Sequence, residues 1–319
     1  MISRRQVLPL LVLLSLAGCD RRAGERISTL RIGYQKWGTF SILKASGKLD
    51  EAFRPKGIKL EWTEFPAGPP LFEALNAGSI DIGHAGDSPP LFAQAANIPF
   101  VYFAVSSSSP ESSGILVKNG SAIHTAADLR GRRVGFAKGT SAHTMVLFYL
   151  EKNGMAFSDI TPIYLPPADG RAALESGAID AWAIWDPYFA MTQQIGGYRP
   201  LTSGRGFVDG REFYFASRRV METQPQLVTD FRTQLESIKN WAMTHKDDVN
   251  RFLAADTGIP QSAVSLAESR RNRYQTQSLT PEVITSQQAL ADRYFKLGLL
   301  PRQIDVKADV LNVTPDGGN

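Results

Sequence analysis

Cysteine is almost absent from this 319-residue chain, and the single Cys19 permits no internal disulfide, so an oxidising compartment would be tolerated rather than exploited. Histidine is nearly as scarce. His84, His124, His143 and His245 are scattered without a second ligand at metal spacing, so no metal site and no cofactor is expected. Neither the GxGxxG fingerprint nor the GxxxxGK[ST] loop occurs, and Gly139-Thr140-Ser141-Ala142-His143 is not a GxSxG elbow. Hydride transfer, nucleotide binding and hydrolysis therefore lack their usual residues, and the chain is expected not to be an enzyme. Net charge is only +4 and no dense basic stripe with interleaved aromatics is present, which leaves nucleic acid without a footprint. Beyond residue 16 no apolar run approaches the roughly 20 residues of a membrane span.

The start of the chain has a different character. Arg4 and Arg5 precede an apolar run at 7–16 that is too short for a mature span, and small residues follow. Residues 1–18 read as an export signal. Leu16-Ala17-Gly18-Cys19 resembles the lipobox of bacterial lipoproteins, in which cleavage leaves Cys19 as the lipid-bearing first residue; Ser3-Arg4-Arg5 is weakly similar to a twin-arginine signal. Asp20 resembles the residue that keeps many such lipoproteins on the inner membrane. The expectation is a lipid-anchored protein of the periplasm or cell surface, with 19–28 as a polar tether.

An internal repeat organises the remainder. Leu75, Gly78, Ile80, Asp81 and Asp87 meet Leu174, Gly177, Ile179, Asp180 and Asp186 at a constant offset, without a gap. Upstream, Arg31-Ile32-Gly33-Tyr34 and Lys36-Trp37-Gly38-Thr39 are echoed by Arg133-Val134-Gly135-Phe136 and Lys138-Gly139-Thr140, with Trp37 as one inserted residue. Each copy reads as strand, Gly-Thr turn, helix, strand, helix, strand, and then Asp opening another helix. Alternating strands and helices call for parallel sheets. Two copies predict an α/β protein of two lobes with the ligand in the cleft beyond the strand ends.

Strands are expected at 29–35, 58–65, 97–105, 113–118 and 212–217, and a helix over 40–53. The strands at 113–118 and 212–217 are read as the two that cross between lobes and form a hinge. Lobe 1 is then 29–114 and 217–313, lobe 2 is 115–216, the helices between 226 and 300 complete lobe 1, and 314–319 is a tail.

The site chemistry suits an anion. Lys36-Trp37-Gly38-Thr39 and Lys138-Gly139-Thr140-Ser141 each lie between a strand and a helix, where unpaired N–H groups face the cleft and glycine lets the backbone approach closely. Singly, each is also an ordinary helix start. Asp87 and Asp186 each precede proline and are expected to cap helices, worth about 1 kcal/mol; either could instead meet an amine. Of Trp182 and Trp185, which alternate on one strand, one is expected in the core and the other on the cleft wall, with Trp37 and Phe40 opposite. Residues 270–274, with three arginines, read as a solvated helix face from which one arginine could reach the cleft mouth.

The stretches 64–90, 128–143 and 164–188 closely resemble the aliphatic-sulfonate substrate-binding proteins of ABC importers, and the likeness covers nearly the whole mature chain. The resemblance implies a two-lobed periplasmic-binding-protein-like (type II) fold that closes on a small organic anion and delivers it to a membrane permease driven by a separate ATPase. Relatives bind taurine, nitrate or thiamine precursors. It implies a ligand shell drawn from Gln35, Asp87, Ser88, Gly139, Thr140, Ser141, Trp185, Asp186 and Arg273, and a permease partner asks only for a monomer. The alternatives are an enzyme of pyrimidine or cofactor-precursor synthesis on the same scaffold, and a sensory binding protein.

Overall fold

The computed structural model describes residues 26–271 and 276–311. Cys19, the export signal, Arg273 and the tail at 314–319 lie outside the described residues. The chain opens with β1 (Thr29–Tyr34), α1 (Thr39–Ser46), α2 (Lys48–Phe53), β2 (Lys59–Glu64), α3 (Gly68–Asn76), β3 (Ile82–Ala85), α4 (Ser88–Ala95) and β4 (Phe100–Ser106). It crosses to a second body of β5 (Ser113–Lys118), β6 (Arg133–Phe136), α5 (Ser141–Lys152), β7 (Thr161–Tyr164), α6 (Pro167–Ser176), β8 (Ala181–Trp185), α7 (Tyr188–Ile195) and β9 (Tyr198–Ser203). It returns through β10 (Phe213–Ser217), α8 (Arg218–Thr223), α9 (Pro225–Thr244), α10 (Lys246–Thr257), α11 (Gln261–Arg270), β11 (Thr276–Gln277) and α12 (Pro281–Lys296).

Two sheets result, in the orders β11-β4-β10-β3-β1-β2 and β7-β6-β8-β5-β9. The repeat is visible in both. In the first sheet β2, β1 and β3 run parallel, with β10 antiparallel beside β3. In the second, β7, β6 and β8 run parallel, with β5 antiparallel beside β8.

The matched residues make matched contacts. Asp81 accepts from the Arg31 backbone N–H at 2.9 Å and from its guanidinium at 2.8 and 3.0 Å. Asp180 holds Arg133 in the same three ways, at 2.8, 2.8 and 3.1 Å. Each arginine also reaches the carbonyl of the helix-ending glycine, Gly78 or Gly177, which sits at φ +69° or +77°. Strand glycines Gly33 and Gly135 receive the matching isoleucines, Ile80 and Ile179, whose methyls lie 2.6 and 2.5 Å from where a Cβ would stand. The repeat therefore records one packing solution used twice: an arginine–carboxylate fork ties the first strand to the loop before the third.

Two expectations are corrected. The strands at 113–118 and 213–217 do not themselves cross; each is an interior member of one sheet, because β5 is buried up to the exposed Lys118 and the aromatic β10 is buried along its length. The crossings are 107–112 and 204–212, held together by Ser109 N–H to the Asp209 carbonyl at 3.0 Å and Ser106 N–H to the Glu212 carbonyl at 2.8 Å. The chain thus rejoins the first sheet at Phe213, four residues before the expected 217. The helix expected over 40–53 is split at Gly47, whose left-handed backbone (φ +68°) returns its N–H to the Lys44 carbonyl and ends α1.

Apolar side chains fill both faces of both sheets. The helices α8 to α12 complete the first lobe, α9 to α11 with α1 on one face and α12 with α3 and α4 on the other.

Candidate functional site

Between the lobes lies a cavity of about 370 Å³ reached by the carboxyl ends of β1, β3 and β8. Of the residues anticipated from sequence, Gln35, Trp37, Thr140, Ser141, Trp185 and Asp186 line it. Trp182 is fully buried and Trp185 half-buried on the wall, so the strand's alternation sends one tryptophan each way.

The two repeat-related helix starts differ. At α5 the cap residue Thr140 is extended and no side chain caps the helix; its hydroxyl donates to the Ala137 carbonyl at 2.7 Å. Thr140 and Ser141 line the cavity at this uncapped start, where the first-turn N–H groups have no intrahelical acceptor. Gly139 stands at φ +72°, a conformation other residues adopt only at a cost. At α1 the corresponding place holds a carboxylate: a Cβ on Gly38 would lie 2.8 Å from Glu212 Oε1, and the Tyr214 hydroxyl donates to Glu212 at 3.2 Å. Gly38 and Gly139 shape these turns without lining the cavity.

Asp87 does not cap α4. Residues two and three of that helix are Pro89 and Pro90, which have no N–H to offer, so the carboxylate turns aside and accepts from Ser88 Oγ at 2.9 Å and Ser141 Oγ at 2.6 Å. Ser88 in turn meets Thr144 Oγ1 at 2.5 Å and the Tyr294 hydroxyl at 2.9 Å. Neither Asp87 nor Ser88 lines the inter-lobe cavity; Asp87 borders a second one, of about 570 Å³, between α5 and α12. Burial pushes the Asp87 carboxyl up from its ordinary range, against the two hydroxyl donors.

Asp186 does cap, accepting from the Ala190 N–H at 2.9 Å, and also takes Arg270 Nη1 at 3.0 Å. Arg270 packs 4.6 Å above the Phe189 ring and donates to Gln193, so α11 of the first lobe is joined to α7 of the second. Burial raises the Asp186 carboxyl to about 6 although Arg270 opposes it.

Several cavity residues escaped the sequence reading. Glu212 arrives from the return crossing, Arg271 from the end of α11, Glu64 from the end of β2 and His84 from β3. Arg271 lies over Trp37, between Glu212 and Glu268, each 3.8 Å away. Residues 270 and 271 are thus inter-lobe and cleft residues rather than a solvated face. The available signal was the run of arginines where the last helices return to the cleft. His84 accepts the Gln35 N–H at 3.2 Å, and burial lowers its pKa, so the ring is neutral with its proton on Nδ1.

The protein-family model described as the NMT1-like family matches residues 23–256. This chain belongs to that family. It is 37% identical over 302 residues to an aliphatic sulfonates-binding protein of Escherichia coli (strain K12), covering 95% of this chain and 94% of the relative. The alkanesulfonate-binding protein SsuA from Xanthomonas axonopodis pv. citri, solved bound to MOPS, is 39% identical and superposes with a TM-score of 0.84 over 90% of this chain and 99% of that one. The family's two-lobed α/β scaffold is wider than binding proteins. The desulfurization enzyme DSZB shares the fold at 18% identity and a TM-score of 0.66, over 89% of this chain and 96% of that one.

Proposed function

We propose that this chain is the extracytoplasmic substrate-binding component of an ABC importer for aliphatic sulfonates, non-enzymatic, and tethered to the membrane by a lipid on Cys19. The observation that carries the reading is the uncapped start of α5, with Thr140 and Ser141, opening into an inter-lobe cavity walled by Trp185. A sulfonate is ionised at any relevant pH, so neutral N–H and O–H donors hold it without a proton of its own. Glu212 beside α1 directs the anion to α5, because a second negative charge at α1 would be repelled. Arg271 offers the cavity a cation, and Trp37 and Trp185 suit an apolar tail. A ligand that binds the closed lobes better shifts the equilibrium toward closure, which a permease can read.

Calorimetric titration of ligand-stripped protein against short alkanesulfonates, taurine, an aromatic sulfonate, sulfate and nitrate tests this. We expect one sulfonate to bind tightly and to lose about tenfold in affinity in Trp185→Ala, roughly 1.4 kcal/mol, while sulfate does not change. Silence toward every sulfonate would remove the substrate class. Ligand recovered chemically altered would favour an enzyme instead. Cys19→Ala should release the protein from the membrane fraction.

A further inference from the structure

The hydroxyl best placed to meet the ligand is already engaged. Ser141 lines the cavity, yet its Oγ donates to Asp87 Oδ1 across the lobe boundary at 2.6 Å. A hydroxyl has one hydrogen to give, and both a carboxylate and a sulfonate can only accept. Ser141 cannot serve both. We propose that Asp87 is a positioning residue acting through Ser141: capture of an anion at the α5 start takes one proton from solvent onto Asp87, which then donates to Ser141 Oγ and turns the serine hydrogen toward the ligand. This rests on the proposed function.

The surroundings of Asp87 favour the neutral acid once an anion is near. The residue is 6% exposed and, among the described residues, its carboxylate forms no ion pair. From α5 it meets Ser141, with Thr144 one bond further on through Ser88; from α12 Tyr294 stands behind Ser88, and Gln287 donates to the Asp87 carbonyl at 2.6 Å. From the return crossing, Asp209 adds negative charge but is itself paired with Arg211 Nε at 3.5 Å, and Arg211, which borders both cavities, donates to the Ser106 carbonyl at 3.1 Å. Burial already raises the Asp87 carboxyl, and a sulfonate one serine away raises it further. The bound state then holds the proton more tightly than the free state, so affinity must rise as pH falls.

Titration calorimetry of the full chain with the tightest-binding alkanesulfonate, in buffers of different ionisation enthalpy from pH 6 to 9, reads this directly. We expect an enthalpy that varies with the buffer in proportion to as much as one proton taken up, and affinity falling by up to tenfold per pH unit on the alkaline side. Asp87→Asn, whose amide donates to Ser141 at every pH, should bind with no buffer dependence and a flat pH profile. Ser141→Ala should bind weakly throughout. A sulfonate bound by the unmodified protein with no proton uptake across the range would overturn this inference and leave the proposed function intact. Uptake persisting in Asp87→Asn would overturn it too, placing the proton elsewhere. Absence of binding by every sulfonate would overturn both.

Discussion

Arg270→Ala is the substitution that most directly tests the joint between α11 and α7. In the intact protein the Asp186 carboxyl is raised from 3.8 to about 6, first by burial, with Arg270 holding it down. The sign follows. A carboxyl raised on folding costs stability where it is ionised, above about pH 6, and that cost is relieved as pH falls through 6 toward 3.8. Two units correspond to about 3 kcal/mol. Removing Arg270 takes away the larger opposing cation and leaves only Arg271 and the Ala190 N–H to compensate, so at pH 8 the variant must bury a poorly paired charge or force a proton onto it, a loss of about 3 kcal/mol. At pH 5 the carboxyl is largely neutral with or without Arg270. What remains is the packing over Phe189 and the bond to Gln193, about 1–2 kcal/mol together. Urea unfolding at the two pH values, followed by tryptophan fluorescence, should show the larger loss at pH 8. Adding Asp186→Asn to the variant should recover most of the pH 8 loss. Equal losses at both pH values, or no recovery in the double variant, would refute the reasoning.

Other expectations follow from the repeat and the cleft. Asp81 is fully buried and holds both Arg31 and Arg219, whereas Asp180 is partly exposed and, among the described residues, forms an ion pair only with Arg133. Asp81→Ala should therefore cost about 3–5 kcal/mol in denaturant unfolding, and Asp180→Ala distinctly less; the reverse order would break the assigned equivalence of the two forks. Gly139→Val places a β-branched residue at φ +72°, where a Cβ has room but the backbone does not favour it, at a cost of about 1–2 kcal/mol. If the α5 start holds the anion, affinity for every bound anion falls about tenfold in calorimetry, roughly 1.4 kcal/mol; unchanged affinity would sink that assignment.

What the sequence alone determined was local and repeated. The order of strands and helices, the glycine stops at Gly78 and Gly177, and the Gly-Thr starts of α1 and α5 are set by interactions a few residues apart, and such interactions are written in spacing. The doubling exposed them: Arg31, Asp81 and Gly33 mean little singly, but recur as Arg133, Asp180 and Gly135 with the same contacts. The alternation of Trp182 and Trp185 was legible as well; spacing left open which of the two faces the cleft, and the family resemblance named Trp185.

Only the tertiary structure decided how distant segments meet. Asp87 has the pattern of a helix cap, but two prolines remove the N–H groups a cap needs, and the hydroxyl it finds instead belongs to the other lobe. The α1 and α5 starts are near copies in sequence, yet Glu212, brought by the return crossing from more than 170 residues beyond Gly38, places its own carboxylate at one of them. Arg270 and Arg271 reached the joint and the cleft because α11 packs between the lobes, a position that no periodicity within the helix encodes. Burial, charge pairing and pKa at this site depend on which side chains share a space without water, and that is fixed by the path of the chain rather than by its local spacing.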